Sequence, residues 1–387
     1  MKAFTWTAVS RSTLSDIDPA KDPRINPLVG DTPWRGSDGQ RSVIAAWGSA
    51  VWDEANRKLW IPIGGGHGNY AGNECYMQPL GSASPTWTMP RAPSGAVGNI
   101  LATLADGKEL SSVYADGRPR SIHPYNNVCY APGVGPVITR ISAPFFNSNE
   151  PTHRAFCLDP VSGETRPVFD FADPTQTGFP AGTPYGTGTG GANNAACCYD
   201  PVRNRIVTVG IGNNVHVLWC TPTTRPGLWT GGHLPTAIGP SGGAPQALVY
   251  LPDVDRFLHL VPWQGNVYHK LIHPVTGAMT DLGPVYGSLA LGMNMGSMTG
   301  AAWSPELARV LLWNQDSNTT QVSTLAYPGH LAMAWTAGAL SVGADNTVTP
   351  PPHAGNGTFG LFGYSASLRG CYLVTGTEAP VHFFATQ

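Results

Sequence analysis

Residues 194–210 read NAACCYDPVRNRIVTVG, and this stretch decides the fold. A short apolar strand is followed by a polar turn with proline and aspartate and then by a second apolar strand, which is the pattern of a β-hairpin. Five other stretches repeat this order. They are GSAVWDEANRKLWIPIGG (48–65), NNVCYAPGVGPVITR (126–140), QALVYLPDVDRFLHLV (246–261), TGAAWSPELARVLLW (299–313) and FGLFGYSASLRGCYLV (359–374).

An aromatic residue marks each of the six hairpins. The markers are Trp52, Tyr130, Tyr199, Tyr250, Trp303 and Tyr364. A third, alternating strand is expected after each hairpin, at Asn73–Leu80, Arg154–Leu158, Val215–Cys220, Asn266–Ile272, Thr319–Leu325 and Val381–Phe384. A fourth strand often carries a Trp-Thr pair, as at Trp87-Thr88, Trp229-Thr230 and Trp335-Thr336. Six repeats of four antiparallel strands predict an all-β fold, a β-propeller with six four-stranded blades.

The two ends of the chain are expected to meet in one sheet. The sixth unit reaches Gln387 after its third strand, and Thr5-Trp6-Thr7 near the start matches Thr86-Trp87-Thr88. We therefore expect residues 1–8 to complete the last blade and so to remove an open sheet edge. A seventh blade is the alternative if residues 9–45 or 94–118 contain another sheet. The predicted single domain spans 1–387, with blades at 46–93, 121–170, 193–232, 244–284, 298–338 and 357–387.

Composition and charge exclude several classes of function. Charged residues are 12% of the chain, and the net charge of −2 comes with no basic run, so nucleic acid is not expected as a partner. No apolar stretch is long enough for a membrane-spanning helix. The start, MKAFTW, lacks the apolar core of a secretory signal, which favours synthesis in a cytoplasm.

The sequence contains no motif that indicates a cofactor or a metal. The seven cysteines are an odd number and form no C-x-x-C pair, so reduced, buried thiols are expected rather than a disulfide framework. No Walker loop, G-x-S-x-G elbow or H-E-x-x-H motif is present.

A resemblance narrows the fold. The glycine cluster Gly64-Gly65-Gly66, Tyr76 in the third strand and Trp87 in the fourth resemble a kelch repeat of the galactose-oxidase-like superfamily. The strings GGGHGNYAGNECY (64–76) and RPRSIHPYNNVCY (118–130) more specifically resemble bacterial and phage kelch-like proteins. Propeller-fold ulvan lyases have a similar pair of histidine motifs. The resemblance implies a kelch-type propeller and a phage virion or tail-associated protein.

Long connections are expected on one face of the propeller. If the strands of a blade are called a to d from the channel outwards, the b–c loops and the d–a connections share a face. The long segments 9–42, 90–121, 141–152, 170–192, 284–298 and 342–357 are all of these two kinds. Long loops on a rigid scaffold are where binding and catalysis usually occur. We call this the long-loop face, and we expect a site there, near the channel mouth.

The candidate ligand-binding residues combine rings, amides and guanidinium groups with few carboxylates, a mixture that suits sugars. They are His67, Asn69, Tyr70, Arg118, Asn193, Asn194, Trp263 and Gln264. Purely structural roles are the alternative. His67 then bonds the backbone of a neighbouring blade, and the Arg118-x-Arg120 pair braces a long insertion.

Three functions remain open. The leading hypothesis is a recognition or structural module of a virion, without a cofactor, that binds glycan or other virion or tail proteins and that forms homo-oligomers within an assembly. The alternative is a polysaccharide lyase acting on a uronate-containing glycan, with Arg118 or Arg120 neutralising the carboxylate, His123 as the base and Tyr125 or Tyr70 as the proton donor. The third is a cytoplasmic protein–protein adaptor.

Overall fold

A computed structural model describes residues 2–25, 35–94, 113–114, 116–140, 145, 154–171, 173–177, 195–210, 216–224, 229–237, 246–263, 266–285, 299–313, 320–331, 333 and 335–387. The described strands form six sheets of four antiparallel strands each. The predicted all-β, six-bladed propeller is therefore confirmed.

The strands are numbered here in chain order. The closing strand is β1 (Trp6–Ala8). The first blade contains β2 (Val51–Asp53), β3 (Lys58–Ile61), β4 (Cys75–Gln78) and β5 (Thr88–Arg91). The second contains β6 (Val128–Ala131), β7 (Gly135–Ile138), β8 (Arg154–Leu158) and β9 (Thr165–Asp170). The third contains β10 (Ala196–Asp200), β11 (Arg205–Val209), β12 (His216–Thr221) and β13 (Thr230–Ala237). The fourth blade contains β14 (Ala247–Leu251), β15 (Arg256–Trp263), β16 (Asn266–Ile272) and β17 (Met279–Pro284). The fifth contains β18 (Gly300–Ser304), β19 (Arg309–Trp313), β20 (Val322–Ala326) and β21 (Thr336–Leu340). The sixth contains β22 (Phe362–Ser365), β23 (Gly370–Leu373) and β24 (His382–Ala385).

Helical structure is limited to single turns. The α-helical turns are α1 (Ser42–Ala45) and α2 (Pro174–Thr177), and 3-10 turns occur at Leu14–Ile17, Pro19–Lys21, Gly39–Arg41 and Phe359–Leu361. Over the described ranges, no helix has the length and apolar character needed to cross a membrane.

The ring closes as the sequence predicts. Strand β1 lies antiparallel to β24, with Trp6 opposite Phe384 and Ala8 opposite His382, and so becomes the outer strand of the sixth sheet. At the centre, each inner strand contacts the inner strands of both neighbouring blades, and β22 of the last blade contacts β2 of the first. The first and last parts of the chain are therefore joined both at the rim and at the channel.

Tight a–b turns connect each inner strand directly to the second strand of its blade. In five blades, the residue just before the second strand is a non-glycine residue with φ between 47° and 53°. Aspartate side chains hold two of these turns, since Asp53 accepts a hydrogen bond from the Asn56 amide and Asp200 accepts one from the Arg203 amide. The a–b and c–d turns together form the second face of the propeller, which we call the flat face.

Among the described residues, six hydrophobic clusters each lie between two adjacent blades, and a small seventh cluster of Ala71, Tyr114 and Phe145 lies among the connecting segments. Every marker aromatic packs into the cluster that its blade shares with the preceding blade. Trp52 of the first blade, for example, lies 5.8 Å from the ring of Tyr372 in the sixth. The tryptophans of the four Trp-Thr pairs are buried in the same clusters: Trp6, Trp87, Trp229 and Trp335. A propeller blade of this chain is thus stabilised mainly by its neighbours.

All seven cysteines are free thiols, as the composition predicts. Burial raises the pKa of Cys75 to about 11 and that of Cys157 to about 12. Thiols of this kind are largely protonated at neutral pH, so they act as small apolar side chains rather than as nucleophiles.

Ring closure gives the first testable prediction. The Trp6 ring packs 5.1 Å from the rings of Trp313 and Phe384, and its Nε1 donates a 2.8 Å hydrogen bond to the Thr320 carbonyl. Trp6→Ala removes this packing and should lower the free energy of unfolding by about 3–5 kcal/mol, measured by urea denaturation. Val161→Ala is the control, because its side chain is 92% exposed. An unchanged unfolding midpoint for Trp6→Ala would show that the closing strand does not stabilise the ring.

Candidate functional site

His67 is presented by a tight loop between β3 and β4 on the long-loop face. Gly65 and Gly66 adopt φ values of 89° and 74°, and the Gly66 amide donates to the Tyr70 carbonyl at 3.0 Å. His67 itself has φ 46°, which is uncommon for a residue with a Cβ atom. The loop buries Tyr70 and leaves His67 exposed. The glycine cluster is therefore what allows the imidazole to stand at the surface.

His123 comes from the segment before the second blade and faces the His67 loop. Its ring lies 6.0 Å from the ring of His67 and 4.5 Å from the ring of Trp47, which precedes the first blade. The Tyr125 amide donates a 3.0 Å hydrogen bond to the Trp47 carbonyl, and both residues have positive φ. The segments that lead into two adjacent blades are thus locked together, and their aromatic side chains form one cluster.

This cluster lies at the mouth of the central channel. The Tyr125 ring packs edge-to-face on Phe359 at 5.5 Å. Phe359 also lines the channel, a cavity of ≈ 320 Å³ between the inner strands. Asn126, the next residue after Tyr125, lines the same cavity and donates a hydrogen bond to the Gln246 carbonyl. We call His67, Asn69, His123, Tyr125 and Trp47 the mouth cluster.

A hydrogen-bond chain fixes the tautomer of His123. The Asn69 Nδ2 donates to the Asp38 carboxylate at 2.7 Å, so the Asn69 Oδ1 faces His123 Nε2 at 3.0 Å. Because an amide oxygen only accepts, Nε2 of His123 must carry a proton. In the neutral ring the lone pair then belongs to Nδ1. The chain Asp38–Asn69–His123 orients the imidazole in the way that a carboxylate orients a catalytic histidine, with an amide in between.

Burial keeps His123 and Tyr125 of the mouth cluster uncharged. Burial, with a smaller contribution from the nearby His67, lowers the pKa of His123 to about 3. Burial also raises the pKa of Tyr125 well above its usual range. The imidazole and the phenol are therefore both neutral at physiological pH. Neutral hydrogen-bonding groups beside an aromatic face are suited to a ligand rich in hydroxyl groups.

A second cavity of ≈ 200 Å³ lies beside the mouth cluster. Asp38 lines it and so joins it to His123 through Asn69. Tyr70 forms part of its wall, and behind that wall the buried Glu74 accepts a 2.7 Å hydrogen bond from the Tyr76 hydroxyl. Burial raises the pKa of Glu74 to about 7. Lys21, Arg35 and Arg41 also line this cavity, opposite the carboxylates of Asp18 and Glu378.

The structure does not bring all of the candidate residues to the mouth. Tyr70 is only 2% exposed and Arg120 only 1%, and the Arg120 guanidinium donates to the carbonyls of Val113 and Phe145. Arg118 makes two hydrogen bonds to the Glu164 carboxylate, at 2.6 and 3.0 Å. These placements correspond to the structural alternative for the arginines, in which they brace loops.

For four other candidate residues, the structure describes no side-chain contact at the mouth. Asn193, Asn194 and Gln264 lie outside the described residues, and Trp263 is the last residue of β15. Sequence reasoning missed Trp47. A signal for it exists, because Trp47, Tyr125 and Phe359 are each an aromatic residue shortly before an inner strand.

Comparisons with known proteins reach no family. No protein-family model matches the chain, and no curated protein matches it. The kelch-type assignment therefore stays a prediction. Solved propeller structures are similar in part. The periplasmic gluconolactonase PpgL of Pseudomonas aeruginosa is 13% identical over 84% of this chain and 77% of its own, with a TM-score of 0.44. A protein of unknown function from Bacteroides thetaiotaomicron is 11% identical over 98% and 75%, with a TM-score of 0.43.

A lectin is also among the similar structures. SapL1 lectin, solved in complex with alpha methyl fucoside, is 14% identical over 86% of this chain and 90% of its own, with a TM-score of 0.39. Similarity at this level concerns the fold and says nothing about the ligand of this chain.

The neutral His123 gives the second prediction. Because its pKa is about 3, its ring protons should show no titration between about pH 5 and 8 in proton NMR spectra. The His123→Gln variant assigns the resonance by its disappearance. An inflexion near pH 6.5 for this resonance would mean that the imidazole is solvated and outside the described cluster.

Proposed function

We propose that this protein is a recognition module that binds a glycan at the channel mouth on its long-loop face. One observation carries the proposal: His67, Asn69, His123 and Trp47 converge from two blades into an aromatic, hydrogen-bonding surface. His67 is exposed, and Asn69 and Trp47 are half-buried. A sugar ring can stack on the indole while its hydroxyl groups bond to the imidazole and amide groups.

The distribution of exposed apolar side chains favours a glycan over a protein at this mouth. Among the described residues, four large apolar side chains are exposed: Val161, Val202, Val275 and Met333. All four lie in a–b or c–d turns, which belong to the flat face. Protein interfaces need desolvated apolar anchors, and among the described residues the mouth cluster offers a partly buried tryptophan and no exposed large apolar side chain. A protein partner or a second copy is therefore better matched to the flat face.

This division of faces suits a module carried on a larger assembly. A flat face that docks on other proteins leaves the long-loop face free to meet a glycan. We propose a phage virion or tail as that assembly, and the support for it is the sequence resemblance alone. In an assembly with several copies, weak individual binding sites add up to high avidity. The cytoplasmic adaptor remains the alternative if the long-loop face binds protein.

A polysaccharide lyase is the second candidate, and one observation favours it. The neutral ring of His123 lies 6.0 Å from the protonated phenol of Tyr125, which are the two states that a base and an acid need before reaction. The two arginines expected to neutralise the substrate carboxylate are engaged elsewhere: Arg118 bonds to Glu164, and Arg120 bonds to backbone carbonyls. The recognition module therefore explains more of the geometry.

The test is a glycan panel read for binding. Wild-type protein should bind at least one glycan, and His67→Ala and Trp47→Ala should each weaken that binding by about tenfold or more, or roughly 1.4 kcal/mol, with little change in melting temperature. His330→Ala is the matched control, because His330 is also exposed but lies in a turn of the flat face. Wild-type protein that binds no glycan, or variants that bind as well as wild type, would refute the proposal.

The same panel separates a binder from a lyase. A lyase leaves an unsaturated sugar whose absorbance in the near ultraviolet grows with time. His123→Gln should abolish that growth, while a binder should show none with the wild type. Growth of absorbance that survives His123→Gln would place the chemistry outside the mouth cluster.

A further inference from the structure

Arg140 is a buried cation at the long-loop end of the second blade. It follows β7, and the Thr139 amide before it donates to the Asn127 carbonyl at 2.7 Å, which extends the pairing of the inner two strands. The Arg140 side chain is fully buried. Its neighbour across the pairing is Asn126, which lines the central channel. The backbone of Arg140 therefore lies beside the channel mouth, and its guanidinium lies inside the protein.

None of the three nitrogen atoms of the Arg140 guanidinium has a hydrogen-bond partner. The other buried arginines of the described chain are different. Arg91 bonds to Thr165 and to the Asn73 carbonyl, Arg120 bonds to two carbonyls, and Arg205 bonds to Asp200 and to the Pro274 carbonyl. The lack of partners at Arg140 is therefore not a general property of buried arginines in this fold.

Burial of a guanidinium without hydrogen-bond partners lowers the stability of the folded protein. It has five N–H donors, each of which loses its bonds to water on burial, and its charge is removed from water as well. Burial lowers the pKa of Arg140 to about 10, so the group is still charged at neutral pH. Among the described residues, the only titratable group that acts on it is the thiol of Cys197. No carboxylate among the described residues pairs with this cation.

A further donor lies close to the same place. Thr208 is the register partner of Cys197 across β10 and β11, so the two side chains lie on the same side of the sheet. The Thr208 hydroxyl is buried and makes no hydrogen bond. Cys197 thus interacts electrostatically with the Arg140 guanidinium and lies opposite Thr208, and neither the guanidinium nor the hydroxyl has a hydrogen-bond partner.

We propose that Arg140 is the centre of a binding site for an oxyanion, a carboxylate or a sulfate-type group. The planar guanidinium presents two parallel N–H bonds that match two oxygen atoms of such a group, and this bidentate match distinguishes an oxyanion from a halide. The anion is supplied either as a free ion or as the acidic group of a sugar. The site does not depend on the mouth cluster or on the function proposed for it.

The test is thermal unfolding with millimolar oxyanions at constant ionic strength in chloride. Sodium sulfate, acetate and glucuronate are compared with uncharged glucose. The melting temperature of the wild type should rise with at least one oxyanion and not with glucose. In Arg140→Met that rise should disappear, and the variant without anion should be at least as stable as the wild type without anion, because an uncompensated charge has been removed. Arg154→Met in the same blade is the surface control and should keep the rise.

The ions used separate the two sources. A rise with sulfate or acetate indicates a free oxyanion, and a rise with glucuronate alone indicates the acidic group of a sugar. No rise with any oxyanion in the wild type, or an equal rise in Arg140→Met, would overturn the proposal. If Arg140→Met does not fold, Arg140→Lys takes its place: it keeps the charge but loses the fork, and its affinity for the oxyanion should fall about tenfold or more.

Discussion

The structure depends on the packing of each blade against the next. No blade contains a core of its own, because its two faces are buried only by the neighbouring sheets, and each marker aromatic packs towards the preceding blade. Such an arrangement is stable only as a closed ring, since an open end would expose an apolar sheet face. The pairing of β1 with β24 completes the sixth sheet, which packs against both the fifth and the first. Closure therefore decides the stability of every blade.

The same constraint determines where a site can form. The flat face consists of short turns, and the interior is filled by the packing of the blades. Long connections therefore belong to the long-loop face. Trp47 and Tyr125 lead into adjacent inner strands, and the ring holds those strands at a fixed distance. The mouth cluster is thus positioned by the rigid inner ring rather than by the loops alone. Such preorganisation lowers the entropy cost of binding a flexible glycan.

The sequence predicts strands better than it predicts burial at the site. Both β8 and β16 have the predicted bounds, and β1 lies where the repeat places it, because alternation and turn residues are local signals. Arg118 and Arg120 look equivalent in sequence, yet one is partly exposed beside Glu164 and the other is buried. That difference depends on loops that are distant in sequence. Trp47 was missed for the same reason, since its contact with His123 joins two blades.

Charge distinguishes the two sites that this chain offers. At the mouth, Asp38 accepts a hydrogen bond from Asn69, Arg118 is paired with Glu164, and His123 is neutral, so Asn69, His123 and Trp47 offer a ligand dipoles and rings. An acidic sugar gains less from dipoles and rings than from a cation, because they compensate only in part for the loss of water around a carboxylate. In the described part of the second blade, Arg140 is a fully buried charge without a hydrogen-bond partner. Because no partner compensates for its loss of water, an acidic ligand would gain more at Arg140 than at the dipoles and rings of the mouth cluster, for which we propose a glycan rich in hydroxyl groups.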